Sequence, residues 1–410
     1  MLVANSRAIR STYPAELQAV LSVEKAEESR QWISAWDGIA EGATPLYSLP
    51  GLAHELGVAE VLVKDESVRS ELGSFKALGA PIALVRLILR LFPEADFDPV
   101  KMFKGAYTEE LRDFTVVSAT DGNHGKGLAA AARTVGCKCV IVLHANVSVE
   151  REQAIAAYGA EIVRIAGNYD ESVEEAARLA RENNWQVVSD TSYEGYEAIP
   201  RDVMQGYGTV AAEIVEACGG KSDGRAPFTH VFLQGGVGGL AAGISSYFWE
   251  IFGTHRPTVV VVEPKQADCL YQSAITGQPA KATGSVDSVM AGLACGETSP
   301  LAWRFLLTGA DFFMTISDDD AVAAMKTLAN GDARDIPIIS GESGAAGLAG
   351  VAVLSGSAEN WKGVGLNGNS RILVISTEGA TAPQMYKVLV GESAEDVLTR
   401  QRAWPNPKAA

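Results

Sequence analysis

Residues 230–252 read HVFLQGGVGGLAAGISSYFWEIF: a short apolar run, four glycines in five positions, then an apolar stretch of helical length. Strand, glycine turn and helix in that order form the repeating unit of open α/β sheets. Gly235, Gly236, Gly238 and Gly239, with Val237 among them, let the backbone approach an anion closely. The N–H groups of such a turn and of the helix start can cradle a phosphate. A tight turn needing positive φ accounts for one or two of the glycines; four favour an anion site. The turn is not a nucleotide P-loop, because no Gly-Lys-Ser/Thr follows, and no acidic strand end sits at the spacing of a dinucleotide fingerprint.

The same unit recurs outward along the chain. Short β-branched runs at 61–64, 114–118, 139–143, 162–165, 186–189, 230–233, 259–262 and 372–375 alternate with helical stretches. The helical stretches are 75–92, 125–135, 172–183, 203–218, 240–252 and 321–329, and Gly136, Gly159 and Gly253 stand where C-caps would fall. This pattern predicts an α/β protein with a buried, mainly parallel sheet. Residues 92–112 read as an irregular insertion and 218–227 as an exposed loop.

Bulk properties narrow the function classes. A chain of 410 residues suggests one enzyme subunit of two lobes. Its 34 basic and 50 acidic residues give a formal charge of −16, which argues against nucleic acid and anionic membrane as partners. No stretch reaches the roughly 18 apolar residues of a membrane span, and the first residues show no secretory pattern. Five cysteines are too few and too scattered for a disulfide scaffold, and whether Cys269 and Cys295 meet stays open. The expected compartment is the cytoplasm. Five histidines without clustered His/Cys spacing give a metal site no support.

Three further segments carry chemistry. In Gly73-Ser74-Phe75-Lys76 a lysine opens a predicted helix ahead of an almost wholly apolar run. Its plain reading is a surface lysine. Burial and the helix dipole would instead depress its pKa, as a Schiff-base lysine requires, because only the neutral amine attacks a carbonyl. The second segment, Ser118-Ala119-Thr120-Asp121-Gly122-Asn123-His124-Gly125, lies at a strand end, where open sheets bind ligands. There Asp121 is either an N-cap or an acid/base group, and His124 reads as structural. The third, Ile375-Ser376-Thr377-Glu378-Gly379, offers hydroxyls beside a glycine turn. Four such strand ends predict one shared crevice.

Together these motifs, in order, with Thr44-Pro45-Leu46 and Lys64-Asp65-Glu66 leading into the lysine, resemble the tryptophan-synthase-β-like (fold type II) pyridoxal-phosphate enzymes from about Thr44 to Gly379. The resemblance implies a two-domain α/β fold, each domain an open, mainly parallel sheet flanked by helices. On that basis residues 1–84 and 191–410 form a large cofactor-binding domain, with 85–190 a smaller mobile domain inserted in it. It also implies pyridoxal 5'-phosphate carried by Lys76, its ring 3'-oxygen hydrogen-bonded by Asn123, its phosphate held by Gly235, Gly236, Val237, Gly238 and Gly239, and Ser376 or Thr377 facing the pyridine nitrogen.

Within the group, Asp121 replaces the usual Ser or Thr, and the segment Ser189-Asp190-Thr191-Ser192-Tyr193-Glu194-Gly195-Tyr196 follows. Both features resemble the diaminopropionate ammonia-lyases. They imply a homodimer that converts a small amino acid, 2,3-diaminopropionate, to pyruvate and ammonia; a serine or threonine dehydratase of the same fold is the alternative. Asp121 would be a second base, opening both enantiomers, or an anion holding the distal ammonium; Asp190 is a candidate for the same service. Ser74, Thr120 and Glu342 complete the substrate-contact candidates. Glu342 reads equally as a carboxylate favourable to a helix N-terminus. A non-catalytic sensor of the same fold is disfavoured, since a sensor has no need of the lysine.

Overall fold

The computed structural model describes residues 1–120, 122–220 and 224–404. Among these residues eleven strands form two sheets. The larger has the order β1-β10-β9-β8-β11-β3-β2. Its members are β1 (Leu2–Ala4), β2 (Leu46–Ser48), β3 (Glu60–Asp65), β8 (His230–Gln234), β9 (Thr258–Pro264), β10 (Phe312–Ile316) and β11 (Arg371–Ser376). The five central strands run parallel, and β1 and β2 close the two edges antiparallel. The smaller sheet, β6-β5-β4-β7, is parallel throughout. It uses β4 (Thr115–Ala119), β5 (Lys138–Leu143), β6 (Glu161–Arg164) and β7 (Gln186–Val187), all between β3 and β8 in the chain.

Apolar strand composition follows from burial on both faces. Leu62, Val231, Leu233, Val259, Val261, Leu373 and Ile375 join one core cluster, whereas their neighbours Val61, Val63, Phe232, Val260, Val262, Ile372 and Val374 join the other. This is the two-residue alternation of a strand read at both faces. The first cluster includes the helices Ala198–Ala217 and Gly239–Phe252, the second Asp318–Asn330 and Ala346–Ser355. In the small sheet Val117, Ala119, Val140 and Val142 pack with Ala176 and Ala180 of the helix Tyr169–Asn183. Each fully buried valine or leucine contributes roughly 1.5–3 kcal/mol of transfer free energy.

Parallel strands put their C-terminal ends on one edge. The turns after β3, β8 and β11 therefore emerge side by side, since β8 pairs with β11 and β11 with β3. That geometry, rather than any single motif, assembles the site.

Three strands escape the sequence pattern. β1 and β2 have three residues each, too few to show alternation. β10 reads FFMTI and follows the helix Pro300–Gly309, so its composition is compatible with either state. The expected helix 75–92 is also corrected: Phe75–Leu78 is a separate 3-10 turn and the helix proper is Ala80–Leu91. Pro81 in its first turn has no N–H to donate, which favours a new start there. Behind that turn Gly206 lies so close that a Cβ on it would land on the Leu78 carbonyl oxygen. Among the described residues no helix is long and apolar enough to cross a membrane.

Candidate active site

Lys76 sits in the 3-10 turn that follows the extended residue Ser74. The turn is tied to the end of β11, where Phe75 N donates to Thr377 O at 3.0 Å and Gly379 N to Gly73 O at 2.9 Å. The Lys76 ammonium is 5.3 Å from the Phe75 ring centre and 5.8 Å from that of Tyr207, and it forms an ion pair with Asp190. Both partners are half-buried; their side chains are 19% and 22% exposed. Burial pulls the lysine pKa down, but the Asp190 carboxylate outweighs it, so the ammonium is held above its ordinary range. Asp190 is held correspondingly low: burial opposes ionisation, and the Lys76 charge overcomes it. The expected depression of Lys76 by a helix dipole is thus overturned. The residue is not at an α-helix start, and a carboxylate touches it.

His124, the second residue of the helix Asn123–Val135, also approaches Asp190. Its Nε2 lies 2.9 Å from the Val188 carbonyl and its Nδ1 3.7 Å from the same Asp190 oxygen that meets Lys76. Nδ1 is buried and has no hydrogen-bond partner among the described residues.

The glycine turn after β8 leaves no room for side chains at its start. A Cβ on Gly235 would lie 2.8 Å from Glu263 Cγ and Val261 Cγ1, and one on Gly236 would lie 3.1 Å from Cys295 Sγ. Gly238 has φ +104°, a conformation L side chains rarely adopt. The helix Gly239–Phe252 starts there, so its first N–H groups and dipole face the same spot. A Cβ on Gly239 would lie 4.0 Å from Asp190 O, which brings this turn beside the Lys76 pair. Cys269 is a free thiol; it points at Gly236 O, 3.4 Å away.

Asn123 reaches across from the small sheet, donating from Nδ2 to Glu378 Oε2 at 2.5 Å. The other Glu378 oxygen accepts from Ser343 N at 3.1 Å. Glu342, 3% exposed, has one carboxylate oxygen without a partner among the described residues. Burial first and the Glu378 charge second push its carboxyl up to about 7. It lies four residues before the helix Ala346–Ser355 and caps nothing. Ser376 Oγ donates to Ser340 Oγ at 2.9 Å, so that pair of hydroxyls, with buried Thr377 beside it, closes the β11 end. Thr120 Oγ1 accepts from Gly122 N and Gly125 N, both at 3.2 Å, and so shapes its own loop. Ser74 Oγ is buried without a partner among the described residues. Asp121 lies outside the described residues.

The structure therefore brings together Lys76, Asp190, Asn123, Ser74, Ser376, Thr377, Glu342 and the turn 235–239. A surface cleft of about 520 Å³ beside Val20, Glu197 and Leu301 contains none of them.

Sequence reasoning missed three contributors. Glu378 was in plain view in the STEG turn but was passed over for its hydroxyl neighbours. Gln234, just before the glycines, donates from one amide nitrogen to Gly344 O at 2.8 Å and Ile375 O at 2.6 Å, lashing the ends of β8 and β11 to the loop that leads into the helix Ala346–Ser355. Behind the lysine turn is a buried charge cluster. Glu213 accepts from Arg69 Nη1 at 2.7 Å, Arg69 Nη2 at 2.6 Å and Lys64 Nζ at 2.5 Å, while Glu66 pairs with Arg69 Nε at 2.8 Å. Glu213, set within the otherwise apolar run 210–215, was the available signal.

These features fit a phosphorylated aldehyde cofactor: a glycine turn with no room for a Cβ at its start, a half-buried amine beside it, and an amide opposite. Comparison with known proteins agrees. The chain matches the family of pyridoxal-phosphate dependent enzymes over residues 39–378. It is 38% identical over 387 residues to the diaminopropionate ammonia-lyase of Escherichia coli (strain K12), covering 93% of this chain and 95% of that protein. A crystal structure of the Escherichia coli diaminopropionate ammonia lyase in complex with an aminoacrylate-PLP azomethine reaction intermediate has a TM-score of 0.84 at 36% identity, covering 95% of this chain and 96% of that one. A biosynthetic L-threonine dehydratase of Haemophilus influenzae is more distant, 28% identical over 264 residues, 62% of this chain and 47% of its own length. By its lysine turn, its glycine cradle and these alignments, the chain belongs to the pyridoxal-phosphate dependent enzyme family.

Proposed function

We propose that this protein eliminates ammonia from 2,3-diaminopropionate, consuming one water and yielding one pyruvate and two ammonia. The observation that carries the reading is the half-buried Lys76 ammonium, on a turn tied to the end of β11, held against Asp190, which follows β7 of the small sheet. Identity to diaminopropionate ammonia-lyases over nearly the whole chain supports the choice of substrate above a dehydratase.

When bound, pyridoxal 5'-phosphate supplies an aldehyde carbon for the lysine amine and a conjugated ring that spreads the charge left by the departing α-proton. The residues of the chain do the rest. N–H groups of 235–239 would hold the phosphate, with Gly235 and Gly236 keeping the approach clear. Asn123 would hold the ring 3'-oxygen. A hydroxyl of Ser376 or Thr377 would serve the ring nitrogen as a neutral partner. Lys76, as free amine, takes the α-proton from one face. Asp190 orients it and holds its charge. Asp121, on sequence grounds, is the base for the opposite enantiomer or the anion beside the distal ammonium, and with Ser74, Thr120 and Glu342 it lines the substrate side. An anionic crevice suits a diamine and repels phosphoserine.

The same reading takes 85–190 as a smaller mobile domain within a large domain of 1–84 and 191–410; it also takes the enzyme as a cytoplasmic homodimer of amino-acid catabolism. The location of the four-stranded sheet between β3 and β8 supports the first division.

A coupled pyruvate assay on D- and L-diaminopropionate, serine and threonine tests the function directly. Turnover is expected on diaminopropionate, with the hydroxy amino acids poor, and Lys76→Ala is expected to abolish both turnover and the visible absorbance of the cofactor. A preference for threonine would favour the dehydratase instead.

A further inference from the structure

Lys76 has a difficulty that the ion pair creates. To act as a nucleophile or base it must be an amine, yet Asp190 stabilises it as the ammonium. The proton has to go somewhere, and the interior offers few places. Asp190 is a poor acceptor, because flanking positive charge keeps its carboxyl low.

His124 is placed differently. The Val188 carbonyl can only accept, so the 2.9 Å contact fixes the hydrogen on Nε2 and leaves Nδ1 as a bare lone pair. That lone pair is buried, unpartnered and 3.7 Å from Asp190 Oδ2. The separation is too long for a hydrogen bond and suits two acceptors facing each other. Protonation of Nδ1 would let the gap close to roughly 2.7–2.9 Å, as in a charge-assisted hydrogen bond.

We propose that His124 is a positioning residue that shares one mobile proton with Lys76 across Asp190, so that one of the two is charged while the other is neutral. The exchange balances: Lys76 ammonium plus neutral imidazole becomes Lys76 amine plus imidazolium, with Asp190 anionic throughout and the net charge unchanged. In the resting arrangement the lysine carries the proton. Burial, the Lys76 charge and the position in the first turn of the helix Asn123–Val135 all disfavour imidazolium. When Lys76 becomes an amine that repulsion ends, and the Asp190 carboxylate is left to attract a proton to Nδ1. Among the described residues the groups facing the pair are few: Asp190 and the Val188 carbonyl after β7, Lys76 on its turn, the Cys295 thiol near Lys76, and the phenols of Tyr207 and Tyr196 near Asp190. Both phenols are held neutral by burial.

This inference rests on Lys76 being the reactive amine, but it can fail separately. The test is a pH titration of histidine ¹⁵N signals in the full-length protein, with His124 identified among the five histidines by its loss in His124→Gln. In the wild type His124 is expected to titrate below the ordinary value near 6.5. In Lys76→Met it is expected to rise by at least about one unit, since an unmatched carboxylate then faces it, and in the double variant Lys76→Met/Asp190→Asn the rise is expected to vanish. A His124 signal that titrates at the same pH in wild type and Lys76→Met overturns the proposal. If Lys76→Met does not fold, Asp190→Asn alone serves: His124 must then titrate lower than in the wild type, and no change overturns the proposal. In activity, His124→Gln is expected to move the acid limb of the kcat/KM profile upward by about one pH unit with KM little changed; an unmoved limb counts against the exchange. Coupled titrations without ammonia release from any amino acid would sink the functional reading while leaving the proton exchange intact.

Discussion

The glycine cradle can be tested by two substitutions that differ by four positions. Gly235→Ala places a methyl 2.8 Å from Glu263 Cγ, 2.8 Å from Val261 Cγ1 and 2.9 Å from Leu270 Cδ1. All three neighbours are fully buried, so none can swing aside, and the turn itself must rise. Overpacking of this kind costs about 1–3 kcal/mol. If the strain is relieved in the cofactor-free form and imposed on binding, the cofactor dissociation constant rises roughly 5- to 150-fold. Gly239→Ala is the control: its methyl meets Met204 Cγ at 3.5 Å and Asp190 O at 4.0 Å, which are ordinary contacts. That variant is expected to bind within about threefold of the wild type, since ordinary surface-like changes stay near 0.5 kcal/mol. The assay is titration of cofactor-free protein with pyridoxal 5'-phosphate, followed by visible absorbance. Wild-type affinity in Gly235→Ala, or an equal loss in Gly239→Ala, would refute the idea that close backbone approach is what the turn provides.

Two further outcomes follow from buried charge. Glu213→Gln leaves Lys64 and Arg69 facing Glu66 alone, an unbalanced cation in the interior, and is expected to cost about 3–5 kcal/mol of stability in urea denaturation. Glu342, raised by burial and by Glu378 from its unfolded range to about 7, contributes fully only below its unfolded value; that contribution is lost as pH rises towards and through 7. Glu342→Gln is therefore expected to flatten stability against pH between about 5 and 8 and to exceed the wild type above pH 7; unchanged slopes in thermal unfolding would contradict it.

Much of the fold was legible because both sheets are covered on two faces, which turns central strands such as β8 and β9 into unbroken apolar runs. The edges were not, since β1 and β2 are too short to carry a pattern. At the site, Lys76, Asn123 and the glycines were readable as residue types at strand ends. What sequence could not give was electrostatic company. Nothing in GSFK announces that Asp190, 114 residues away, meets the amine, and so the sign of its pKa shift came out reversed. Glu378 was missed for the same reason: its partner Asn123 lies 255 residues earlier.

The near-contact between Gly206 and the Leu78 carbonyl has a practical bearing on how this scaffold can be altered. Main chain presses on main chain there, so the floor under the lysine turn cannot be re-tailored by trading one side chain for another. Any protein engineer wishing to widen the range of amino acids accepted should leave that floor alone and vary side chains proposed for the substrate side, such as Thr120 and Glu342.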